Sequence, residues 1–243
     1  MNLTLRDFKL RYRNSVLGFF WSLLNPLLMM VIFSIVFSFL FREGVSDYPV
    51  FVLPPILLWR FFSVSTMYSL DTITGNYQLV TKIYFPRWLL VLSSGLANLL
   101  GSSLEFVACF PLLIIFGMKL NYSLLSVPLI IIEMFILILG LSLALSSLNL
   151  FYRDFRQIWE IALQAGFYFS PIFYSPSIIP SNISFEYSLN PLTQAVESIR
   201  DAMYYGVFPS VENFAFVLLA GGVALLIGVF FFRRAERKFG DAV

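Results

Sequence analysis

Histidine is absent from the 243 residues, cysteine occurs once, and only 12% of the residues are charged. The absence of histidine excludes catalytic triads, metal sites and proton relays that depend on an imidazole. A single cysteine, Cys109, excludes an intrachain disulfide and a cysteine-based zinc site, and its apolar surroundings predict a small buried residue. Soluble domains have about 25% charged residues, so this chain has too few to cover a soluble surface.

Hydrophobic residues make up 59% of the chain, and 28 residues are phenylalanine. A helix needs about 20 mostly apolar residues to span a bilayer. Six stretches meet this requirement, at residues 23–41, 50–69, 89–116, 127–150, 158–174 and 214–232. We therefore predict an all-α membrane protein with six transmembrane helices and a single domain over residues 1–243.

The lysines and arginines lie mostly on one side of this predicted bundle. Of the 16 cations, twelve fall on the side that holds both termini, namely Arg6, Lys9, Arg11, Arg13, Lys82, Arg87, Arg153, Arg156, Arg233, Arg234, Arg237 and Lys238. The other side has Arg42, Lys119 and Arg200, and Arg60 falls within a span. Because positive loops remain cytoplasmic, both termini are predicted to be cytoplasmic.

The first 22 residues alternate apolar side chains with cations. Arg6, Lys9, Arg11 and Arg13 are interleaved with Leu, Phe and Tyr. Such a segment favours a helix lying in the membrane interface, with its cations toward lipid phosphates. The alternative is a basic flank of the first span with no further role.

The stretch from Ser170 to Pro209 is apolar but contains five prolines. Non-helical backbone at membrane depth must be buried in protein or line a cavity, so we predict a re-entrant exterior gate segment over residues 175–210. Asn190 can cap a helix that begins at Pro191 and ends near Gly206. The apolar face is predicted to hold Leu192, Ala195, Val196, Ile199 and Met203, and the polar face Thr193, Gln194, Glu197, Arg200 and Asp201. The alternative is an amphipathic connector that only packs.

Four charged residues fall within predicted spans: Arg60, Glu105, Glu133 and Glu160. Charges in lipid are usually paired or functional. Arg60 and Glu105 both lie near mid-span and could pair, whereas Glu160 lies near the cytoplasmic end and could reach water. A proton relay through the acids is the alternative.

Small residues recur on the sixth predicted span at Ala220, Ala224 and Gly228. This spacing permits the close approach of another helix, either within the chain or across a dimer. Aromatic side chains crowd the first, second and fifth spans. They could line a path along which sugars pack on ring faces, or they could face lipid and form interface belts.

No G-x-x-x-x-G-K-[ST] motif occurs, so the chain cannot hydrolyse ATP through a P-loop. The loop over residues 71–88 is the longest on the predicted cytoplasmic side. It is predicted to form a short helix from Gly75 to Tyr84 that ends before Pro86, where a soluble partner could push. The alternative is a plain connector.

The run RYRNSVLGFFWSLLNP from Arg11 to Pro26 resembles the start of the membrane subunits of type-2 ABC exporters for polysaccharides such as O-antigen, capsule and teichoic acid. Further matches are Lys82 with Phe85-Pro86-Arg87, Tyr152-Arg153-Asp154, and Asn190-Pro191. The resemblance extends in order along nearly the whole chain.

The resemblance implies a homodimeric permease in the cytoplasmic (inner) membrane that exports a lipid-linked polysaccharide. Two copies of a separate P-loop ATPase would bind ATP and magnesium, so this chain would be no enzyme, would hold no cofactor or metal, and would not bind nucleic acid. The alternatives are an ABC exporter of a drug or small lipid, and a proton-coupled secondary transporter that uses Glu105 and Glu133.

Residue roles are also implied by the resemblance. Contact with the ATPase is assigned to Asn76, Lys82, Phe85, Pro86 and Arg87. The channel lining is assigned to Phe33, Phe37, Trp59, Phe167 and Tyr168. The exterior gate is assigned to Pro180, Asn190, Pro191, Glu197 and Arg200. Contact with lipid phosphates at the membrane interface is assigned to Arg6, Lys9, Arg11 and Arg13.

Overall fold

The computed structural model describes residues 2–12, 18, 20–40, 47–76, 78–79, 85–180 and 182–236. In this part of the chain the α-helices are α1 (Asn2–Tyr12), α2 (Phe20–Leu40), α3 (Tyr48–Leu70), α4 (Trp88–Ile115), α5 (Val127–Phe151), α6 (Phe155–Phe169), α7 (Ser184–Ser188), α8 (Pro191–Arg200) and α9 (Val211–Glu236). Short 3-10 helices occupy Thr74–Asn76, Tyr122–Ser126 and Pro176–Ile178, and a π-helix occupies Asp201–Tyr205. No strand occurs within the described ranges, which agrees with the all-α prediction.

Four helical segments in the described ranges are long and apolar enough to cross a membrane. They are α3, α4, α9, and α5 together with the 3-10 turn before it (Tyr122–Phe151). The apolar part of α2, Phe20–Val36, is shorter, and α6 has 15 residues. Every predicted span coincides with a helix, but the fifth, predicted over residues 158–174, ends at Phe169.

The early end of α6 follows from the next two residues. Ser170 has an extended backbone with ψ of 140° and is completely buried. Pro171 follows it, and the residue before a proline is disfavoured in the helical region because the ring clashes with its backbone. The helix therefore stops at Phe169, and the chain continues through turns to the short helices α7 and α8.

Helix α3 lies at the centre of the bundle and packs against α2, α4, α5, α6 and α8. Two of its buried polar side chains are satisfied within the helix itself. Thr66 Oγ1 donates to the Phe62 carbonyl at 2.9 Å, and Ser69 Oγ donates to the Thr66 carbonyl at 2.6 Å. In lipid, where water cannot satisfy polar groups, such bonds let α3 be buried without a polar partner on every neighbour.

Helix α9 packs along α5, and glycine permits the contact. A methyl group added at Gly140 would collide with the backbone of Ala224 and Leu225, and one added at Gly228 would collide with the carbonyl of Gly140. The small residues at 224 and 228 therefore serve a close contact within the chain, which decides between the two alternatives that the sequence leaves open.

Helix α8 begins at the predicted residue, but its predicted polar face is partly buried. The Asn190 side chain accepts a hydrogen bond from the Leu192 amide at 3.0 Å, and Pro191 is the first helical residue. The π-helix that follows ends at Gly206, whose φ of 69° is left-handed. The prediction that Thr193 and Arg200 lie on a polar face is wrong, because the two residues are 3% and 2% exposed, and Arg200 stacks on Phe51 of α3.

Candidate functional site

Aromatic side chains from α2, α3, α6 and the turn after α6 meet in one cluster. Phe33 stacks on Phe167 with 6.0 Å between ring centroids and on Phe173 with 5.3 Å. Trp59 meets Phe167 edge to face at 5.7 Å, and Tyr168 meets it likewise at 5.5 Å. We call the aromatic cluster the set Phe33, Trp59, Phe62, Trp159, Phe167, Tyr168, Phe173 and Tyr174.

Four of the five residues expected to line a channel are in this cluster. The fifth, Phe37, lies on α2 beyond the side chains that the structure describes. Aromatic ring faces can pack against the apolar faces of a ligand without requiring one hydrogen-bond pattern. Tyr168 is 66% exposed, so one side of the cluster is open.

Four members, Phe62, Trp159, Phe173 and Tyr174, were not among the residues expected to line a channel, and two of them show why. Phe173 comes after the break at Ser170, and its stacking on Phe33 depends on the irregular course of residues 170–174, which helical periodicity does not predict. Trp159 is fixed by a hydrogen bond from Nε1 to Thr66 Oγ1 at 3.1 Å. Its position two turns before Phe167 on the same helix was a signal that could have identified it.

Arg200 ties the irregular segment after α6 to α3. Its guanidinium donates from Nη2 to the carbonyls of Pro171 at 2.6 Å and Ile172 at 3.1 Å. The same group lies 3.8 Å from the centre of the Phe51 ring. Burial lowers the pKa of Arg200 to about 10, so the guanidinium is charged at neutral pH. Among the described residues no carboxylate lies within ion-pair distance of this guanidinium, but nearby Glu197 and Asp201 also favour its charged form.

The other residues expected in a gate lie before Arg200 in the chain, between residues 180 and 197. Asn190 caps α8 and also donates to Ser170 Oγ at 3.4 Å. Glu197 is half-buried on α8, and burial, together with nearby Asp201, raises its pKa. Pro180 is exposed. At the start of α3, the Tyr48 hydroxyl donates to the Phe173 carbonyl at 2.8 Å and so holds the same segment from a second side.

At the opposite end of the bundle, α1 meets the loop after α3. Arg6 Nη2 donates to Asn76 Oδ1 at 3.0 Å, and Asn76 Nδ2 donates to the Thr72 carbonyl at 2.9 Å. Asp7 bridges Arg6 and Ser93 Oγ on α4, at 2.9 Å and 3.3 Å. We call the terminal face the end of the bundle that holds Arg6, Asp7, Asn76 and Ser93. Asn76 is thus fixed to α1 rather than projecting alone from its loop.

The remaining residues expected to contact an ATPase also lie at the terminal face. Arg87 Nη1 donates to the carbonyl of Glu236 at the end of α9, at 2.9 Å. Phe85 packs against a small core that includes Phe232, whereas Pro86 is exposed. Lys82 and Arg13 lie outside the described residues, and so do the side chains of Lys9 and Arg11.

The charges within the predicted spans separate into three environments. Arg60 Nε and Glu105 Oε2 form an ion pair at 3.2 Å between α3 and α4, as expected. Glu160 is exposed. Glu133 is 1% exposed, and neither of its carboxyl oxygens has a hydrogen-bond partner among the described residues. Glu105 and Glu133 therefore stand in different surroundings, since one is paired with a cation and the other is buried without a hydrogen-bond partner among the described residues.

Comparison with known proteins gives one family and several relatives. The family model described as ABC-2 type transporter matches residues 1–204. An O-antigen export system permease protein RfbA of Klebsiella pneumoniae is 31% identical over 98% of this chain and 92% of its own length. The protein of the same name from Myxococcus xanthus is 27% identical over 100% of this chain and 94% of its own. The capsule polysaccharide export inner-membrane protein CtrC of Neisseria meningitidis is 23% identical over 93% and 87%.

Proposed function

Because the chain belongs to the ABC-2 type transporter family, we propose that it is the permease subunit of an ATP-driven exporter that moves a lipid-linked polysaccharide across the cytoplasmic membrane. The observation that carries this proposal is the similarity, over 98% of the chain, to permeases named for O-antigen export. The chain is the membrane component and not the enzyme, and ATP with its magnesium ion binds to a separate ATPase subunit.

We propose six membrane spans, α2 to α6 and α9, with both termini cytoplasmic. The support is the coincidence of these helices with the six apolar stretches, together with twelve of the 16 cations on one side. The α2 and α6 helices, which fall short of the four longer candidates, both contribute to the aromatic cluster. Shorter helices can be membrane spans at this position because α2 and α6 pack against protein in the cluster and not only against lipid.

The terminal face is the proposed docking surface for the ATPase. The loop over residues 71–88 would receive the partner, with Pro86 exposed for contact and Arg87 joined to the end of α9. Asn76 would transmit movement to the interfacial helix α1 through Arg6. We propose two ATPase copies and two permease copies, with exposed apolar side chains of α2 and α6 such as Ile32, Ile35 and Ile161 facing the second permease.

The proposed path for the polysaccharide runs along the aromatic cluster. Arg6, Lys9, Arg11 and Arg13 would attract lipid-linked phosphate to the cytoplasmic interface. The ring faces of Phe33, Trp59, Phe167 and Tyr168 would then let sugars slide, and Phe37 would extend the lining along α2. The segment over residues 175–210, with α7 and α8, would close the exterior end, where Arg200 holds Pro171 and Ile172.

Deletion of the gene, followed by analysis of the cell surface and of lipid-linked intermediates, tests the cargo. We expect surface polysaccharide to disappear and its lipid-linked form to accumulate in the cytoplasmic leaflet. A plasmid copy of the wild-type gene should restore the surface polymer, and a copy paired with an ATPase whose P-loop lysine is replaced should not. Unchanged surface polysaccharide together with a new sensitivity to small toxic compounds would instead identify a drug exporter.

The rival proton-coupled mechanism is tested in vesicles that contain the permease with or without its ATPase. Export is expected to require ATP and the ATPase, whatever the pH gradient. Export driven by a pH gradient in the absence of the ATPase, and lost in Glu133→Gln, would overturn the proposal. Glu133 is the sharper probe, because Glu105 is already paired with Arg60.

A further inference from the structure

A cleft of about 580 Å³ opens between α4 and the first turns of α5, away from the aromatic cluster. Leu99 and Phe110 of α4 form one wall, and Pro128 of α5 forms the other. Leu124, in the 3-10 turn before α5, and Met203, in the π-helix after α8, complete the lining. Its volume lies in the range of binding sites for single small molecules, about 300–1,000 Å³.

The cleft contains almost nothing for a polar ligand to bind. Ser103 contributes the one hydroxyl of its lining, and that hydroxyl already donates to the Leu99 carbonyl at 2.8 Å. Val107 and Ile132 at the rim are 69% and 50% exposed. A ligand held here must therefore be a hydrocarbon, reached from the membrane side of α4 and α5.

The length of the cleft fits one leaflet of the bilayer. Its lining on α4 extends from Leu99 to Pro111, about 18 Å along the axis at about 1.5 Å per residue. Half of a hydrocarbon core of about 30 Å is about 15 Å. An extended lipid tail in one leaflet would thus run the length of the cleft, with its head near the loop that joins α4 to the 3-10 turn.

That loop provides a cation. Lys119 is exposed between the end of α4 and Tyr122, and among the described residues no carboxylate forms an ion pair with it. A phosphate headgroup at the surface is attracted to such a lysine. The apolar cleft and the cation in the loop that joins its two walls together complement a lipid with a negative head and a hydrocarbon tail.

We propose that the cleft binds the acyl chain of an anionic membrane phospholipid, with Lys119 at its phosphate. The placement in the exterior leaflet rests on the proposed function and orientation. Because Met203 belongs to the helical stretch that carries Arg200, the tail contacts the exterior segment directly. A bound phospholipid would therefore brace α8 against α4.

Lipid retention by the full-length protein tests this site. The protein is reconstituted into vesicles of phosphatidylglycerol and phosphatidylcholine in equal parts, extracted in mild detergent, washed, and analysed by native mass spectrometry. We expect the wild type to retain one phospholipid per chain beyond the number retained by Ser103→Phe, whose ring fills the cleft. Lys119→Gln should keep the lipid but lose the preference for phosphatidylglycerol by about fivefold, which corresponds to about 1 kcal/mol.

A matched control places the same ring elsewhere on the lipid-facing surface. Val223 on α9 is 56% exposed and lies outside the cleft, so Val223→Phe should retain lipid as the wild type does. Equal retention in Ser103→Phe and the wild type, or equal loss in Val223→Phe, would overturn the proposal. So would unchanged headgroup preference in Lys119→Gln, a variant in an exposed loop that leaves the cleft intact.

Protein extracted directly from cells distinguishes the source of the lipid. A retained phospholipid supports the proposal, whereas an isoprenyl phosphate in its place identifies the cleft as a site for the cargo lipid and contradicts it. None of these measurements requires the ATPase or the polysaccharide. Unchanged surface polysaccharide after deletion of the gene, together with the expected lipid retention by the purified protein, would therefore count against the proposed function and leave the phospholipid site standing.

Discussion

Gly140 of α5 and Gly228 of α9 bring two helix backbones into direct contact. The carbonyl oxygen of Gly140 occupies the place where a side chain at position 228 would begin. Gly221, about two turns earlier on the same face of α9, approaches α5 at Leu137 and Ile136 with more room. Within a membrane, where lipid is as apolar as the side chains, such close packing is a main source of helix association.

Replacing either glycine by alanine should therefore destabilise the bundle. We expect Gly140→Ala and Gly228→Ala each to lower the free energy of unfolding by about 1–3 kcal/mol, as overpacking does. Thermal unfolding of the purified protein in one detergent measures the change. Gly222→Ala is the matched control, because nothing lies within 4 Å of a methyl group there. A similar loss of stability in Gly222→Ala would show that close packing is not the cause.

The ion pair between Arg60 and Glu105 predicts that removing one partner destabilises the protein more than removing both. Glu105→Ala leaves a cation whose side chain is only 23% exposed, so we expect a loss of about 3 kcal/mol, the lower end for a broken buried pair. Replacing both residues by methionine removes the stranded charge and should recover most of the stability. Denaturation of the single and double variants checks this. If the double variant is as unstable as Glu105→Ala, lost packing rather than the stranded charge explains the effect.

The hydrogen bonds of Arg200 are expected to protect the segment after α6 from proteolysis. Arg200→Met keeps an unbranched side chain but leaves the carbonyls of Pro171 and Ile172 without their donor, at a cost of about 1–3 kcal/mol for each buried acceptor. We expect faster proteolysis within residues 171–190 in right-side-out vesicles. Arg200→Lys should be cleaved at an intermediate rate because it retains a donor. Cleavage of all three proteins at the same rate would mean that Arg200 does not hold the segment.

The aromatic cluster predicts a change in transport rather than in folding. Phe167 contacts Phe33, Trp59, Tyr168 and Phe173, and Phe167→Leu replaces the ring by a smaller apolar group. We expect export of polysaccharide to fall severalfold while the amount of permease in the membrane stays constant. Export is measured as surface polymer per permease.

The neighbouring Phe169 gives the control for this experiment. It is 66% exposed, and Phe169→Leu should export as the wild type does. Equal export by Phe167→Leu and the wild type would remove the aromatic cluster from the proposed path.

Much of the fold could be predicted because apolar runs and helix ends have local causes. The cap at Asn190 with Pro191, and the end at Gly206, depend on side-chain hydrogen bonding and backbone sterics within a few residues. The pairing of Arg60 with Glu105 could be anticipated because a charge in lipid needs a partner at the same depth. The buried position of Cys109, which is 1% exposed, followed from its apolar neighbours.

The remaining features depend on contacts between distant parts of the chain. Helical periodicity placed Arg200 on a polar face, but the side chain is buried because Phe51 and two free carbonyls lie beside it. The fifth helix was predicted to run on past Phe169, since hydropathy alone does not register the restriction that Pro171 imposes on Ser170. Phe173 could not be predicted as a member of the aromatic cluster for the same reason, because its ring reaches Phe33 only where the helix has ended.

Helix α3 connects the two ends of the molecule without interruption. At its first turns, Tyr48 bonds to the segment after α6 and Phe51 lies beneath Arg200. Immediately after its last turn, Asp71 pairs with Arg156 and the Thr72 carbonyl receives Asn76. The buried helix α3 therefore has one end at the proposed ATPase loop and the other at the proposed exterior gate segment. Movement at one face of the membrane would reach the other through α3, with any bending concentrated at Pro54 and Pro55, which lack the amide hydrogen that a regular helix uses.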